Sequence, residues 1–326
     1  MKPDSWRPSS TAATATRRAR MLEAARGFFA GRAVLEVDTP LLSRTTVSDP
    51  YIESIRAELK HQPDKPYYLQ TSPEYFMKRL LCAGYPDIFQ ICKAFRDGEA
   101  GRRHSPEFTL IEWYRRGFSL QQIMQETVDL VTALIEPRFI EVLPKFVEHR
   151  SALQELAGVD PEQSTIAALA HAAAADERMI ASLGGHRDAW LDLVLSICVV
   201  PRFDSGRLTV LYHYPASQSA LARLCPANAS VADRFEVFFG DLELANGFVE
   251  LQDAGEQLSR FAANQALRRQ RAQPLRPLDR RFIVALRSGL PACAGVAVGF
   301  ERLLMINEMS DDIRRVQTFA VDEDDE

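Results

Sequence analysis

Apolar residues at helical spacing open the chain: Met21, Leu22, Ala25, Phe28 and Phe29 recur within 17–32 and predict an amphipathic helix. Residues 34–37 follow as a strand that ends before Pro40. A second strand is predicted at 67–70, and Pro73 then opens a helix running to about Gly84. The apolar run 88–95 reads as a buried strand, and 108–114 reads as its partner. Between them, 96–106 carries three arginines and a histidine, which predicts a long, charged hairpin.

Leu120, Ile123, Met124, Val128 and Val131 mark another amphipathic helix. Residues 137–205 are Ala-rich without chemical motifs and are read as a mostly helical insertion. Strand signals return at 208–212, 235–239 and 242–248, helices are predicted at 253–273 and 279–288, and a last strand at 295–299 runs into a helix from Glu301. Hairpin-linked strands bordered by helices predict an α+β fold, an antiparallel sheet flanked by helices. No Gly-x-Gly-x-x-Gly or Walker loop occurs, so any nucleotide must be held in another way.

Composition narrows the function classes. The 326 residues are 46% hydrophobic and 25% charged, enough for a large core in one domain or two modest ones. A net charge of -5 provides no global positive field for a polyanion, and the acidic run 322–326 reads as a solvated tail. The five cysteines are scattered, with no Cys-x-x-Cys pair, and suggest neither a disulfide framework nor a zinc site. Residues 1–16 lack the apolar stretch of a signal peptide, and no run reaches membrane-spanning length, so a cytoplasmic protein is expected.

Two segments carry chemistry. In 95–108, Arg96 at a strand end suits a charge developing on an α-phosphate, because its planar fork bonds phosphate oxygens in pairs. Arg102 and His104 are placed to reach terminal phosphates, and Phe108 offers a ring for a purine. The plain alternative is a solvated basic loop. In 295–303, small residues at a strand end admit a nucleotide to the backbone, and Arg302 opens the next helix.

Together with the early helix and the strand ending Leu35-Glu36-Val37-Asp38-Thr39-Pro40, these segments resemble motifs 1, 2 and 3 of class II aminoacyl-tRNA synthetases. Thr71-Ser72-Pro73-Glu74-Tyr75, His104-Ser105-Pro106-Glu107-Phe108-Thr109 and Glu243-Leu244-Ala245-Asn246-Gly247-Phe248-Val249-Glu250-Leu251 are similar to the lysyl branch. The resemblance implies a flexible N-terminal segment at 1–16 and a catalytic domain at 17–326. It implies an ATP site from Arg96, Asp97, Gly98, Glu99, Arg102, His104, Ser105, Phe108, Glu243, Leu244, Gly299 and Arg302, with Arg96 and Arg302 catalytic.

A lysine-like substrate has two ammonium groups, and burying both requires carboxylates. The resemblance places Glu74 and Glu112 at the amine near the carboxylate, and Glu250 and Tyr114 at the distal amine. Ser72, Pro73, Asn246 and Ala297 complete the expected substrate pocket. Glu243 and Glu250 are expected to hold Mg²⁺. Seven residues apart, they fall on opposite strand faces unless a bulge intervenes, and 245–247 is its expected place.

With motif 1 inside the first forty residues, no anticodon-binding domain is expected before it. The chain thus resembles the elongation factor P–(R)-β-lysine ligase family, a paralogue of lysyl-tRNA synthetase. Ser72 and Ala297 match that family where lysyl-tRNA synthetases usually have Ala and Gly, while Gly98 stands where motif 2 usually has Glu. The resemblance implies ATP and Mg²⁺, (R)-β-lysine, elongation factor P as acceptor, no stable tRNA binding, and a homodimer through the Phe28–Phe29 helix. A lysyl-type fragment charging tRNA, a ligase making a small molecule and a non-catalytic paralogue remain open at this point.

Overall fold

A computed structural model describes residues 6–62, 64–140 and 142–321; the acidic run 322–326 lies outside the described residues. The first helix, α1 (Ala12–Ala30), starts earlier than the apolar spacing predicts, because Thr11 caps it by accepting from the Thr14 amide at 3.1 Å. Residues 12–16 are therefore helical, and the end of the N-terminal segment moves back to Thr11. Phe29 is fully buried and stacks on Phe89, with ring centroids 4.3 Å apart. That packing removes Phe29 from any interface with a second copy, contrary to the expectation for this helix.

The chain continues through the short strands β1 (Leu35–Glu36), β2 (Leu42–Ser43), β3 (Arg56–Ala57) and β4 (Tyr67–Leu69) into α2 (Glu74–Cys82). The hairpin strands β5 (Ile88–Phe95) and β6 (Glu107–Arg116) come next, followed by α3 (Leu120–Leu134). The predicted insertion contains β7 (Lys145–Glu148), α4 (His149–Ala157), α5 (Ile166–Ala172), α6 (Glu177–Leu183) and α7 (Arg187–Val194). The strands β8 (Leu208–Pro215), β9 (Leu224–Cys225), β10 (Asn228–Phe239) and β11 (Leu242–Val249) lead to α8 (Ala254–Gln270) and α9 (Arg280–Gly289). The last pair is β12 (Cys293–Gly299) and α10 (Phe300–Asn307).

The main sheet runs β1-β5-β6-β12-β11-β10-β8-β7, with β9 paired to β10. It is antiparallel in its centre, as predicted, and parallel at its two ends, where β1 pairs with β5 and β7 with β8. The insertion is thus not only helical: β7 extends the sheet, and Trp190, Leu191 and Leu153 pack with Leu211 and Phe238 in one apolar cluster. On the opposite face of the central strands, α1, α3 and α10 enclose the largest core, which includes Trp113, Val131, Phe235 and Phe300.

One buried side chain ties the second layer to the hairpin. Arg268 of α8 is fully buried and donates to the carbonyls of Asp49 at 2.6 Å and Ile52 at 3.0 Å, and to the Glu53 carboxylate at 2.6 Å. Although burial opposes it, Arg276 and Arg268 hold Glu53 below the usual carboxylate range. The Glu53 carbonyl accepts from the Asp97 amide at 2.9 Å, so this clamp fixes the residue next to Arg96.

Candidate active site

The exposed end of the β5–β6 hairpin and the start of α10 form one half of the site. Arg96 leaves β5 with its amide bonded to Pro106 O at 3.0 Å, and its guanidinium lies 5.0 Å from the centroid of the Phe108 ring. Arg96 Nε is buried without a hydrogen-bond partner among the described residues, and Nη1 reaches Glu99 at 3.4 Å. Gly98 has φ +76°, a left-handed turn in which a glutamate would be strained. That turn explains why the acidic residue falls one place later, at Glu99. Asp97 contributes a backbone bridge to Glu53, and Ser105 is buried beneath the hairpin.

Arg302, His104 and Glu243 meet across three elements. Arg302 donates to the Glu243 carbonyl at 2.6 Å, lies 3.6 Å from its carboxylate, and approaches His104 Nε2 at 3.0 Å. Burial and the Arg302 charge push the His104 pKa down, so the neutral ring accepts from Arg302. A Cβ on Gly299 would lie 3.7 Å from the Arg302 side chain and 4.0 Å from the Leu244 carbonyl, so both border this glycine. Arg102 does not join them: it is exposed at the hairpin tip and paired with Asp311. Its expected place at the terminal phosphates is not formed in this conformation.

The other half is a carboxylate pocket on the sheet. Register places Glu112 (β6), Ala297 (β12) and Asn246 (β11) in one row, and Tyr114, Gly295 and Phe248 in a parallel row. Ser72, just before Pro73 at the start of α2, donates to Glu112 at 2.7 Å and accepts from the Glu74 amide at 3.1 Å. Tyr114 donates to the other Glu112 oxygen at 2.8 Å, so its hydroxyl serves Glu112 rather than Glu250. A Cβ on Gly295 would lie 2.4 Å from the Tyr114 ring and 2.6 Å from a Glu250 oxygen, which requires glycine at this point. Asn246 Oδ1 is buried without a hydrogen-bond partner among the described residues, an acceptor suited to an incoming ammonium.

Lys78, which sequence reading missed, completes the pocket. It is 1% exposed, lies 2.5 Å from Glu74 and forms a close ion pair with Glu250. Its visible signal was the Glu74–Lys78 spacing of four on a predicted helix, with Met77 and Leu81 buried around it. Burial opposes its charge, but Glu250 and Glu74 raise its pKa, so the ammonium persists. Burial and the nearby Glu74 push Glu112 up to about 7, against the hydrogen bonds from Ser72 and Tyr114. Burial likewise pushes Glu250 up to about 8, against the pull of Lys78.

The expected Glu243–Glu250 metal pair is not formed. An extra residue, Leu244, lies between the registers Val237↔Ala245 and Phe238↔Glu243, so the bulge falls one residue before the expected 245–247. The bulge corrects the facing but not the separation. Seven residues of extended chain span roughly 23 Å, and Glu250 is occupied by Lys78. Glu243 instead influences Glu236 of the neighbouring strand. Burial pushes Glu236 up to about 7 despite Arg234, and the Glu243 charge adds to that rise.

These shifts predict a pH dependence. Glu112 protonates as pH falls through about 7, and a neutral carboxyl is a poorer partner for an ammonium. Between pH 6 and 8, kcat/KM for the amino acid is expected to rise about tenfold. Stability runs the other way: above the ordinary value of 4.5 the unfolded chain has released a proton that the fold retains up to about 7. This group therefore destabilises the free protein as pH rises through that window. Melting of wild type against Glu112→Gln at pH 5.5 and 8 checks it, with wild type losing ground at the higher pH; no change in the difference would reject the assignment.

An antiparallel sheet that carries an arginine hairpin, a strand-to-helix arginine and a carboxylate pocket defines a class II adenylate-forming core. Residues 4–323 match the family model for tRNA synthetases class II (D, K and N). The chain is 40% identical to the elongation factor P–(R)-β-lysine ligase of Mannheimia succiniciproducens, with 98% of each chain covered. Proteins of the same name from Haemophilus ducreyi and Klebsiella pneumoniae are each 39% identical, covering 97% of this chain and 96% and 98% of theirs. The chain belongs to this ligase family within the class II synthetases. No helix among the described residues is long and apolar enough to cross a membrane.

Proposed function

We propose that the protein activates (R)-β-lysine with ATP and transfers it to the ε-amine of a lysine on elongation factor P. The observation that carries this reading is the charge balance of the pocket. Glu74, Glu112 and Glu250 face one internal cation, Lys78. Fully ionised, they leave two negative charges without a partner in the pocket. A substrate with two ammonium groups supplies the complement, whereas a substrate with one leaves a buried charge unpaired. Ala297 separates Glu112 from Asn246 in the same row, where its methyl shapes the floor beneath the amine. Contacts of this size discriminate by about 1–3 kcal/mol, which favours the β-amine without excluding α-lysine.

In the first step the substrate carboxylate oxygen attacks the α-phosphorus, and the bond to pyrophosphate breaks. Arg96 stabilises the charge at that phosphorus, Arg302 and the neutral His104 receive the leaving pyrophosphate, and the adenine rests on Phe108. In the second step the acceptor amine attacks the acyl carbon, AMP leaves, and the amine gives up a proton. Neither step needs a covalent enzyme nucleophile, because the residues position reactants and balance charge.

Glu243, which lies 3.6 Å from Arg302, is the carboxylate that would face Mg²⁺ at the phosphates, because both oxygens of Glu236 are taken by Arg234 and Tyr214. Mg²⁺ held there would offset phosphate charge. Leu35, Leu41, Leu42 and Tyr51, exposed after α1, form the surface we assign to a homodimer. The reading places the protein in the cytoplasm, with a protein acceptor rather than tRNA.

Intact-mass measurement of elongation factor P after incubation with the protein and Mg-ATP tests it directly. A gain of one lysyl unit is expected with (R)-β-lysine, and a smaller yield with α-lysine. No gain with either amino acid, together with aminoacylation of tRNA, would overturn the acceptor assignment.

A further inference from the structure

We propose that His213, Cys225 and Asp233 bind a single divalent transition-metal ion of the zinc type, at a site that uses none of the adenylation residues. One ligating atom from each of the three lies within 4.8 Å of the other two. They come from β8, β9 and β10, so only strand pairing brings them together. Imidazole, thiolate and carboxylate are a zinc donor set, and a water can fill the fourth position at this partly exposed surface.

Three details of the backbone and its neighbours fit a bound ion. His213 is held at φ +58°, a conformation that a non-glycine residue adopts at a cost of about 1–3 kcal/mol. The β8–β10 register shifts between Ala232 and Phe235, opposite His213, and such a bulge re-aims side chains. His213 Nε2 lies 3.8 Å from Asp233 Oδ1, too far for a hydrogen bond. Ligands on a tetrahedron with bonds of about 2.0–2.3 Å stand roughly 3.3–3.8 Å apart, so this separation matches two ligands of one ion.

The surrounding groups orient the donors. Glu148 Oε1 is 3.4 Å from His213 Nδ1, the arrangement in which a carboxylate fixes the tautomer of a metal-binding imidazole and leaves Nε2 for the ion. Arg223 donates to Asp233 Oδ2 at 2.8 Å and leaves Oδ1 as the ligand. Cys225, on the two-residue strand β9, offers its Sγ within 4.8 Å of both other ligand atoms, so a closure of at most about 1 Å brings it to the tetrahedral separation.

Cobalt titration of the full-length protein in a phosphine reductant provides the test. One equivalent of Co²⁺ is expected to produce a thiolate-to-cobalt charge-transfer band that Zn²⁺ abolishes. Cys225→Ser should remove the band although Cys82, Cys92, Cys198 and Cys293 remain. His213→Asn, which tolerates the left-handed backbone, should weaken Zn²⁺ binding at least about tenfold, and Glu148→Gln about 10–100-fold. Zinc should raise the melting temperature of wild type but not of Cys225→Ser. No band at stoichiometric Co²⁺, or one that survives Cys225→Ser, would overturn the proposal.

Discussion

Lys78→Met is expected to cost about 3–5 kcal/mol of folding stability at pH 8, read by urea denaturation. The ammonium is 1% exposed and lies between Glu74 and Glu250, and methionine fills its volume without its charge. What remains is a buried Glu250 with no counter-ion and a Glu74 that repels it. The loss should shrink as pH falls, because Glu250, no longer held down by Lys78, takes up a proton more readily than in wild type. Adding Glu250→Gln should recover much of the loss, since it removes the charge that Lys78 balances. A Lys78→Met variant as stable as wild type at pH 8, or a double variant no better than the single, would contradict this account of the pocket.

Arg96→Ala is expected to lower ATP–pyrophosphate exchange by about 10²–10³-fold while leaving the melting temperature close to that of wild type. The stability expectation follows from its surroundings: the ion pair to Glu99 is 3.4 Å long, and both side chains are about a third exposed, at 28% and 30%. The catalytic expectation follows from the buried, unpartnered Nε and the guanidinium held near Phe108. Arg96→Lys should not restore the rate, because a point charge lacks the planar fork that bonds two phosphate oxygens. Exchange within tenfold of wild type in Arg96→Ala would remove Arg96 from the transition state.

The stability loss in the first variant and the rate loss in the second separate two kinds of residue. Lys78 belongs to the resting charge balance, so its removal is felt before substrate binds. Arg96 meets charge only as it develops on the phosphate, so its removal is felt in the rate. Substrate should narrow the first deficit little, because a diammonium ligand fitted to two negative charges does not fit the three left by Lys78→Met.

The sequence alone determined the helices and strands whose apolar period is unbroken, and the contiguous motifs around Arg96 and Arg302. Local sequence carries those features, because a hairpin and a strand-to-helix junction are built from neighbours along the chain. It also exposed the parity problem between Glu243 and Glu250, since a period of two is fixed by strand geometry. Only the tertiary structure resolved that problem. The bulge at Leu244 brought Glu243 to the facing side, cross-strand register set it opposite Phe238, and distance along the chain left Glu250 to Lys78. The same limit hid β7 inside an Ala-rich stretch and the meeting of His213, Cys225 and Asp233. Register, bulges and parallel edge pairing depend on which strands lie side by side, and a linear pattern of apolar and polar residues does not encode that choice.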